Sequence, residues 1–296
     1  MPAPRDARRP LLRPGTRAVP TSAGRLRMGR SSGPAVRDDE VTRLVLRTVD
    51  GVRDVDRVLA LVAETRPDLV GPARTLVDAW LRSGLLVDTA TWPPGIPWDE
   101  LGHAVLRDRP TSPLAGRRRR AVRIHSAPGC HGLEELLVPA LRLAGVSAPP
   151  GDRADLLVLV TAGDEPHSAV AVAGQAGLTT VTVVLEDGRA RVGPWVEPGT
   201  TPCLWCADQA RARWDPAWSS GRPVVDRCPS DLLGVGSELL LTVAGLVLHD
   251  VLAALDGRPT RLAGRRLTVG PDPTAVSTEA VPFSSRCCCH LLSDVS

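Results

Sequence analysis

Four cysteines in two tight groups carry the clearest chemistry in this sequence. Cys203-Leu204-Trp205-Cys206 follows Pro198-Gly199-Thr200-Thr201-Pro202. That run predicts a turn between a strand and a helix, and two thiolates on such a knuckle can chelate one ion. The second group is Cys287-Cys288-Cys289. On an extended segment alternate side chains share a face, so Cys287 and Cys289 can bind together while Cys288 points away. Four sulfurs in a tetrahedron suit Zn²⁺, and a full shell leaves no position for a substrate water. The expected role is structural: the metal pins the end of the chain to its middle. Two unrelated clusters, or a redox pair at Cys203/Cys206, remain open as the bland alternatives. So does His290 or Cys288 as a replacement ligand.

Other candidates are weaker. Cys130-His131 sits in a loop before a helix, but sequence neighbours seldom meet in catalytic geometry and no orienting third group is evident. Cys130 and Cys228 read as small packed residues, and His125, His167 and His249 as isolated ones. The chain has no Lys, so neither a Schiff-base lysine nor a P-loop lysine exists. The loop His125-Ser126-Ala127-Pro128-Gly129-Cys130-His131-Gly132 keeps two glycines but no G-x-G-x-x-G, and Glu134-Glu135 put negative charge where a phosphate would rest. Between Gly145 and Asp155 there is too little chain for the next strand and crossover. No nucleotide is expected.

The elements that must position these residues fall into two domains. Residues 1–14, rich in Pro and Arg, are expected to be disordered. Residues 15–90 predict a winged-helix module. Short strands lie at Thr16–Val19, Arg25–Met28 and Pro34–Arg37. Helices follow behind Asp38 or Asp39, Asp54, and Pro67-Asp68, and a closing strand at Leu85–Val87. Residues 91–120 read as a linker ending in the solvated run Arg117–Arg120. Residues 121–296 alternate strands and helices, an α/β domain of degenerate Rossmann type. Leu239–Leu248, the longest apolar segment, is too short to span a bilayer, and the N-terminus has no secretion signal. A cytoplasmic protein with no membrane partner is expected.

Charge is uneven. Residues 1–120 hold 22 Arg against 14 acids, and residues 121–296 hold 14 Arg against 19. The front half therefore prefers an acidic partner. Its third helix carries only Arg74 and Arg82 as cations, thin provision for a nucleic acid.

The run from Val192 through Pro202-Cys203-Leu204-Trp205-Cys206, continued by Arg211-Ala212-Arg213-Trp214-Asp215-Pro216-Ala217-Trp218, is similar to the hallmark of ThiF-like proteins of azole-forming peptide pathways. These belong to the thiazole/oxazole-modified microcin class. The family's tail reads H-P-x-C-x-C; here it is Ser284-Ser285-Arg286-Cys287-Cys288-Cys289. The N-terminal module resembles the PqqD-like recognition element. The resemblance implies a non-catalytic protein that binds a precursor's leader peptide and delivers it to a YcaO-type cyclodehydratase, which uses the ATP. A homodimer stays open. An extended peptide would add to the strand Pro34–Arg37, with Ala35 and Val36 offering backbone hydrogen bonds. Arg37, Arg74, Trp80 and Arg82 are the other candidate leader contacts, Trp80 being equally a core residue. The rival readings are an adenylating enzyme of ThiF type, a DNA-binding winged-helix regulator and a thiol oxidoreductase.

Overall fold

A computed structural model describes residues 6–21, 24–29, 33–147, 154–213, 215 and 234–289. The chain is a mixed α/β protein and divides after Ala115 into two compact units.

Unit 1 holds β1 (Pro10–Leu12), β2 (Ala18–Pro20), β3 (Arg25–Met28), β4 (Ala35–Arg37), α1 (Glu40–Thr48), α2 (Val55–Thr65), α3 (Val70–Arg82), β5 (Leu86–Asp88) and α4 (Trp98–Leu106). Of the candidate caps, Asp39 and Asp54 serve, while Asp38 pairs with Arg43. The Asp39 side chain accepts from Thr42 N–H, and that of Asp54 from Arg57 N–H, each satisfying an orphan donor of a first turn. Strands β2, β3 and β4 form an antiparallel sheet in that order. Leu26 and Met28 turn inward to join Val45, Val58, Val62, Val77 and Trp80 in one core.

Two expectations are corrected here. Residues 10–12, expected to be disordered, form β1, because they pair antiparallel with β5 from Pro10↔Asp88 to Leu12↔Leu86. The span 91–120 is not a bare linker either. Ile96, Leu101, Ala104 and Leu114 bury one another around α4, a cluster the surrounding prolines disguise.

Unit 2 holds β6 (Val122–Ser126), α5 (His131–Leu143), β7 (Leu156–Ala162), α6 (His167–Gln175), β8 (Thr179–Glu186), β9 (Arg189–Val196), α7 (Leu204–Arg211), α8 (Ser237–Leu255), β10 (Arg265–Val269) and β11 (Val276–Ala280). Its sheet runs β11-β10-β9-β8-β7-β6, with β6, β7 and β8 parallel and the rest antiparallel. Alternate residues of β7 divide the core. Leu156, Val158 and Val160 pack with α5 and α8, while Leu157 and Leu159 pack with α6.

Among the described residues, the strand thought missing after α5 is marked by the bridge Ala121↔Ser147. Val122 N–H donates to Ser147 O, whereas Ala121 O accepts from Asp155 N–H. Successive residues of a strand point their backbone groups to opposite edges, so Ser147 lies on the side of β6 away from β7. The chain thus leaves β6 outward by α5 and leaves β7 the other way by α6, on the opposite face. That is a topological switch point between β6 and β7.

Helix α8 is 19 residues long and extends past both ends of the apolar segment Leu239–Leu248. By length and composition it could cross a membrane. Here Leu239, Val243, Val247 and Val251 are buried in the core. Its fully buried Asp250 accepts from Arg261 through Nη2 at 2.8 Å and the backbone N–H at 2.5 Å.

Arg117 departs from the expected solvated run. It is 4% exposed, grips Asp256 through Nε and Nη2 at 2.7 and 2.8 Å, and donates to Ala144 O at 3.1 Å. Only Arg118–Arg120 face solvent. Removing one partner of a buried, forked pair strands the other charge. Arg117→Ala is expected to destabilise unit 2 by about 3 kcal/mol, while Arg119→Ala leaves stability unchanged; thermal unfolding of the two variants checks this.

Candidate functional site

The loop between β9 and α7 is tied down before it reaches the first thiol. The Thr201 hydroxyl donates to Trp195 O at 2.7 Å and accepts from Glu197 N–H at 2.7 Å. Pro202 then leads into Cys203, whose extended backbone caps α7. One helical turn later Cys206 points inward and is buried, as are Leu204 and Ala207, while Trp205 is exposed. The second pair arrives after β11. Val281 N–H bonds Gly264 O at 2.8 Å, and Val281 packs against Cys206 and Ala207. Where the resemblance expects His-Pro, Ser284 makes the turn. Its hydroxyl accepts from Arg286 N–H at 3.2 Å, and its carbonyl accepts from Cys287 N–H at 3.0 Å. Its own N–H donates to Cys206 Sγ at 3.4 Å.

These constraints bring four sulfurs together. Sγ–Sγ separations are 4.0 Å for Cys203–Cys206, 3.5 Å for Cys203–Cys287 and 3.6 Å for Cys206–Cys289, and all four atoms lie within 4.8 Å of one another. A disulfide needs about 2.05 Å, so none is formed among these free thiols. A tetrahedron with Zn–S bonds of about 2.3 Å has edges of about 3.8 Å, which the cluster matches. Four thiols that can meet at one point are a donor set for a soft or borderline cation. Cys288 is exposed and outside the cluster. His290 and Cys228 lie outside the described residues.

Protonation fits a metal-binding role. Burial pushes the Cys203 thiol up to about 11 and raises Cys289 as well. Burial also opposes ionisation of Cys287, but hydrogen bonds from the Cys289 backbone N–H and the neighbouring thiols hold it below its usual value. A metal must therefore displace protons as it binds.

The candidate peptide contacts are scattered differently from the expectation. Met28 N–H donates to Pro34 O at 2.9 Å and Asp38 N–H to Gly24 O at 3.2 Å. Pro34 and Asp38 therefore face β3, as does Val36 between them, paired with Leu26. It is Ala35 and Arg37, not Val36, that turn their backbone groups to the open edge of the sheet. Trp80 is 5% exposed within the core of unit 1 and offers no surface. Arg74 is exposed but paired with Asp56 and Asp6 at 3.1 and 3.5 Å. Arg82 is exposed at the end of α3.

Sequence reasoning missed a buried ionic group in unit 2. Glu165 lies 3.3 Å from Arg191 Nε and 3.1 Å from Arg266 Nη2, and Arg191 also meets Glu186. Burial lowers the Arg191 pKa. One signal was available: Arg265-Arg266 are consecutive in a strand, so one of them must point inward. His167 Nε2 lies 2.5 Å from Asp208 Oδ2 and ties α6 to α7. That hydrogen bond raises the His167 pKa against the effect of burial. Among the loops at the switch point, Gly132 has a packing reason, since a Cβ there would approach Leu240 Cδ1 to 3.2 Å. Glu134 occupies the first turn of α5, as the sequence indicates.

With this geometry in hand, solved structures give a match. A heterocyclase in complex with substrate and cofactor aligns over 95% of this chain and 39% of its own, with 16% identity and a TM-score of 0.65. The heterocyclase TruD aligns over 95% and 42%, with 17% identity and a TM-score of 0.64. E. coli MccB with succinimide aligns over 95% and 99%, with 12% identity and a TM-score of 0.53. The fold is one shared with heterocyclases. The chain spans about two fifths of the length of the two heterocyclases. No protein-family model and no curated protein matches the sequence.

Metal content checks the cluster directly. Chain purified from zinc-supplemented medium is expected to carry one metal ion, measured by plasma mass spectrometry. Cys203→Ser or Cys289→Ser loses it and lowers the melting temperature, while Cys288→Ser does neither. Because protons compete for the thiolates, acidification releases the metal, and a chromophoric chelator should capture it faster at pH 5 than at pH 8.

Proposed function

We propose that this chain is a non-catalytic, zinc-stapled scaffold that binds the leader segment of a ribosomal precursor peptide and delivers it to a separate YcaO-type cyclodehydratase for azole or azoline formation. The observation that carries the reading is the open edge of β4. Ala35 and Arg37 present backbone groups with no strand beside them among the described residues, in a small unit of short strands and helices. The arginine excess of this half suits an acidic leader. The likeness to heterocyclases, one of them in complex with substrate and cofactor, supports the same reaction context. Four thiolates that fill a zinc shell make that metal structural rather than catalytic. Unit 2, a degenerate ThiF-like domain in this reading, docks the enzyme and holds the peptide near it at high effective concentration.

An adenylating enzyme of ThiF type is the second reading, favoured by the switch point between β6 and β7. Glu134 in the first turn of α5 weighs against a phosphate there. Pyrophosphate exchange by the isolated chain would establish it.

Strand addition is tested by a labelled leader peptide encoded beside this gene, titrated by fluorescence anisotropy. Ala35→Pro removes an N–H that faces the open edge and leaves the bonds to β3 in place. Peptide affinity is expected to fall about tenfold with the circular dichroism unchanged. Unaltered affinity would remove strand addition from the account.

A further inference from the structure

The outer face of the β2-β3-β4 sheet concentrates positive charge. Leu26, Met28 and Val36 turn to the core, so Arg25, Arg27 and Arg37 share the other face. Arg25 and Arg37 are Cα partners and both are exposed. They fall between the hydrogen-bonded pairs, where Cα atoms approach to about 4.5 Å and side chains come closest. Like charges placed directly opposite oppose strand pairing. The acids next in the chain are engaged elsewhere: Asp38 holds Arg43 at 2.6 Å, and Asp39 caps α1.

Arg25 turns aside from this repulsion. Its Nη2 donates to Ala35 O at 2.7 Å. That carbonyl is one of the groups directed to the open edge of β4. The same side chain therefore covers the edge against unwanted pairing and occupies the acceptor that an incoming strand needs.

We infer that Arg25 is a displaceable guard, exchanged on binding from the Ala35 carbonyl to an acidic side chain of the incoming peptide, which it grips together with Arg37. This rests on the peptide-binding reading and specifies the ligand. The occupant is an extended segment with alternating character. Residues that land beside Arg37 on the outer face are Asp or Glu. The residue between them, beside Val36, is apolar. A neutral peptide leaves Arg25 and Arg37 facing each other and gains no partner for the released guanidinium.

The test uses the full chain as bait for a displayed library of random dodecapeptides, followed by titration of an enriched peptide and its Glu→Gln copy. Wild-type chain is expected to enrich alternating acidic and apolar residues, and Gln for Glu to weaken binding about fivefold. Arg37→Glu should reverse the preference toward Arg and Lys. Arg25→Ala should weaken the Glu peptide and tighten the Gln copy, because the Ala35 carbonyl is then free. Peptides that bind but carry no acid bias, or a preference unmoved by Arg37→Glu, would overturn the guard and leave peptide binding standing. Failure to enrich any peptide would overturn the peptide-binding reading and the guard with it.

Discussion

Unit 2 depends on one convergence: four thiols from two distant segments meet within 4.8 Å. Cys203 and Cys287 are 84 residues apart in sequence. A link that closes a loop of that length removes about 4–5 kcal/mol of chain entropy from the unfolded state. The cost of bringing buried thiols together is visible in the raised Cys203 and Cys289, and a metal held there would offset it by replacing their protons. Much of the surrounding structure serves this meeting. Thr201 anchors one approach, Ser284 shapes the other, and Val281 fills the space between them.

A second set of constraints keeps the two faces of the sheet in unit 2 distinct. Helices α5 and α8 cover one side, and α6 and α7 the other. Buried charges stitch the edges. Arg117 with Asp256, Asp250 with Arg261, and Glu165 with Arg191 and Arg266 are paired where an unpaired charge would cost several kcal/mol. Such pairs hold a loop or strand in one register more than they add net stability. In unit 1 the same principle operates at the surface, where Arg25 satisfies a carbonyl that no strand among the described residues pairs with.

The sequence made the regular elements legible wherever a period or a cap marked them. Arg25–Met28 has the bounds expected of it, and Asp39 and Asp54 cap as their positions require. Spacing marked each cysteine pair, since alternate residues of an extended segment share a face, whereas the meeting of the two pairs is set by tertiary structure. What escaped were features set by tertiary partners. β1 exists because β5 lies opposite it. Arg117 is buried because Asp256 and Ala144 O meet it. The edge groups of β4 are those of Ala35 and Arg37 because the register to β3 fixes the parity, and no local signal carries that register.

X-ray absorption at the zinc edge of the purified wild-type chain tests the central claim most directly. The account requires a single zinc with four sulfur neighbours at about 2.3 Å and no light-atom scatterer in the first shell. A folded chain without zinc, or a zinc with oxygen or nitrogen among its nearest neighbours, would contradict it.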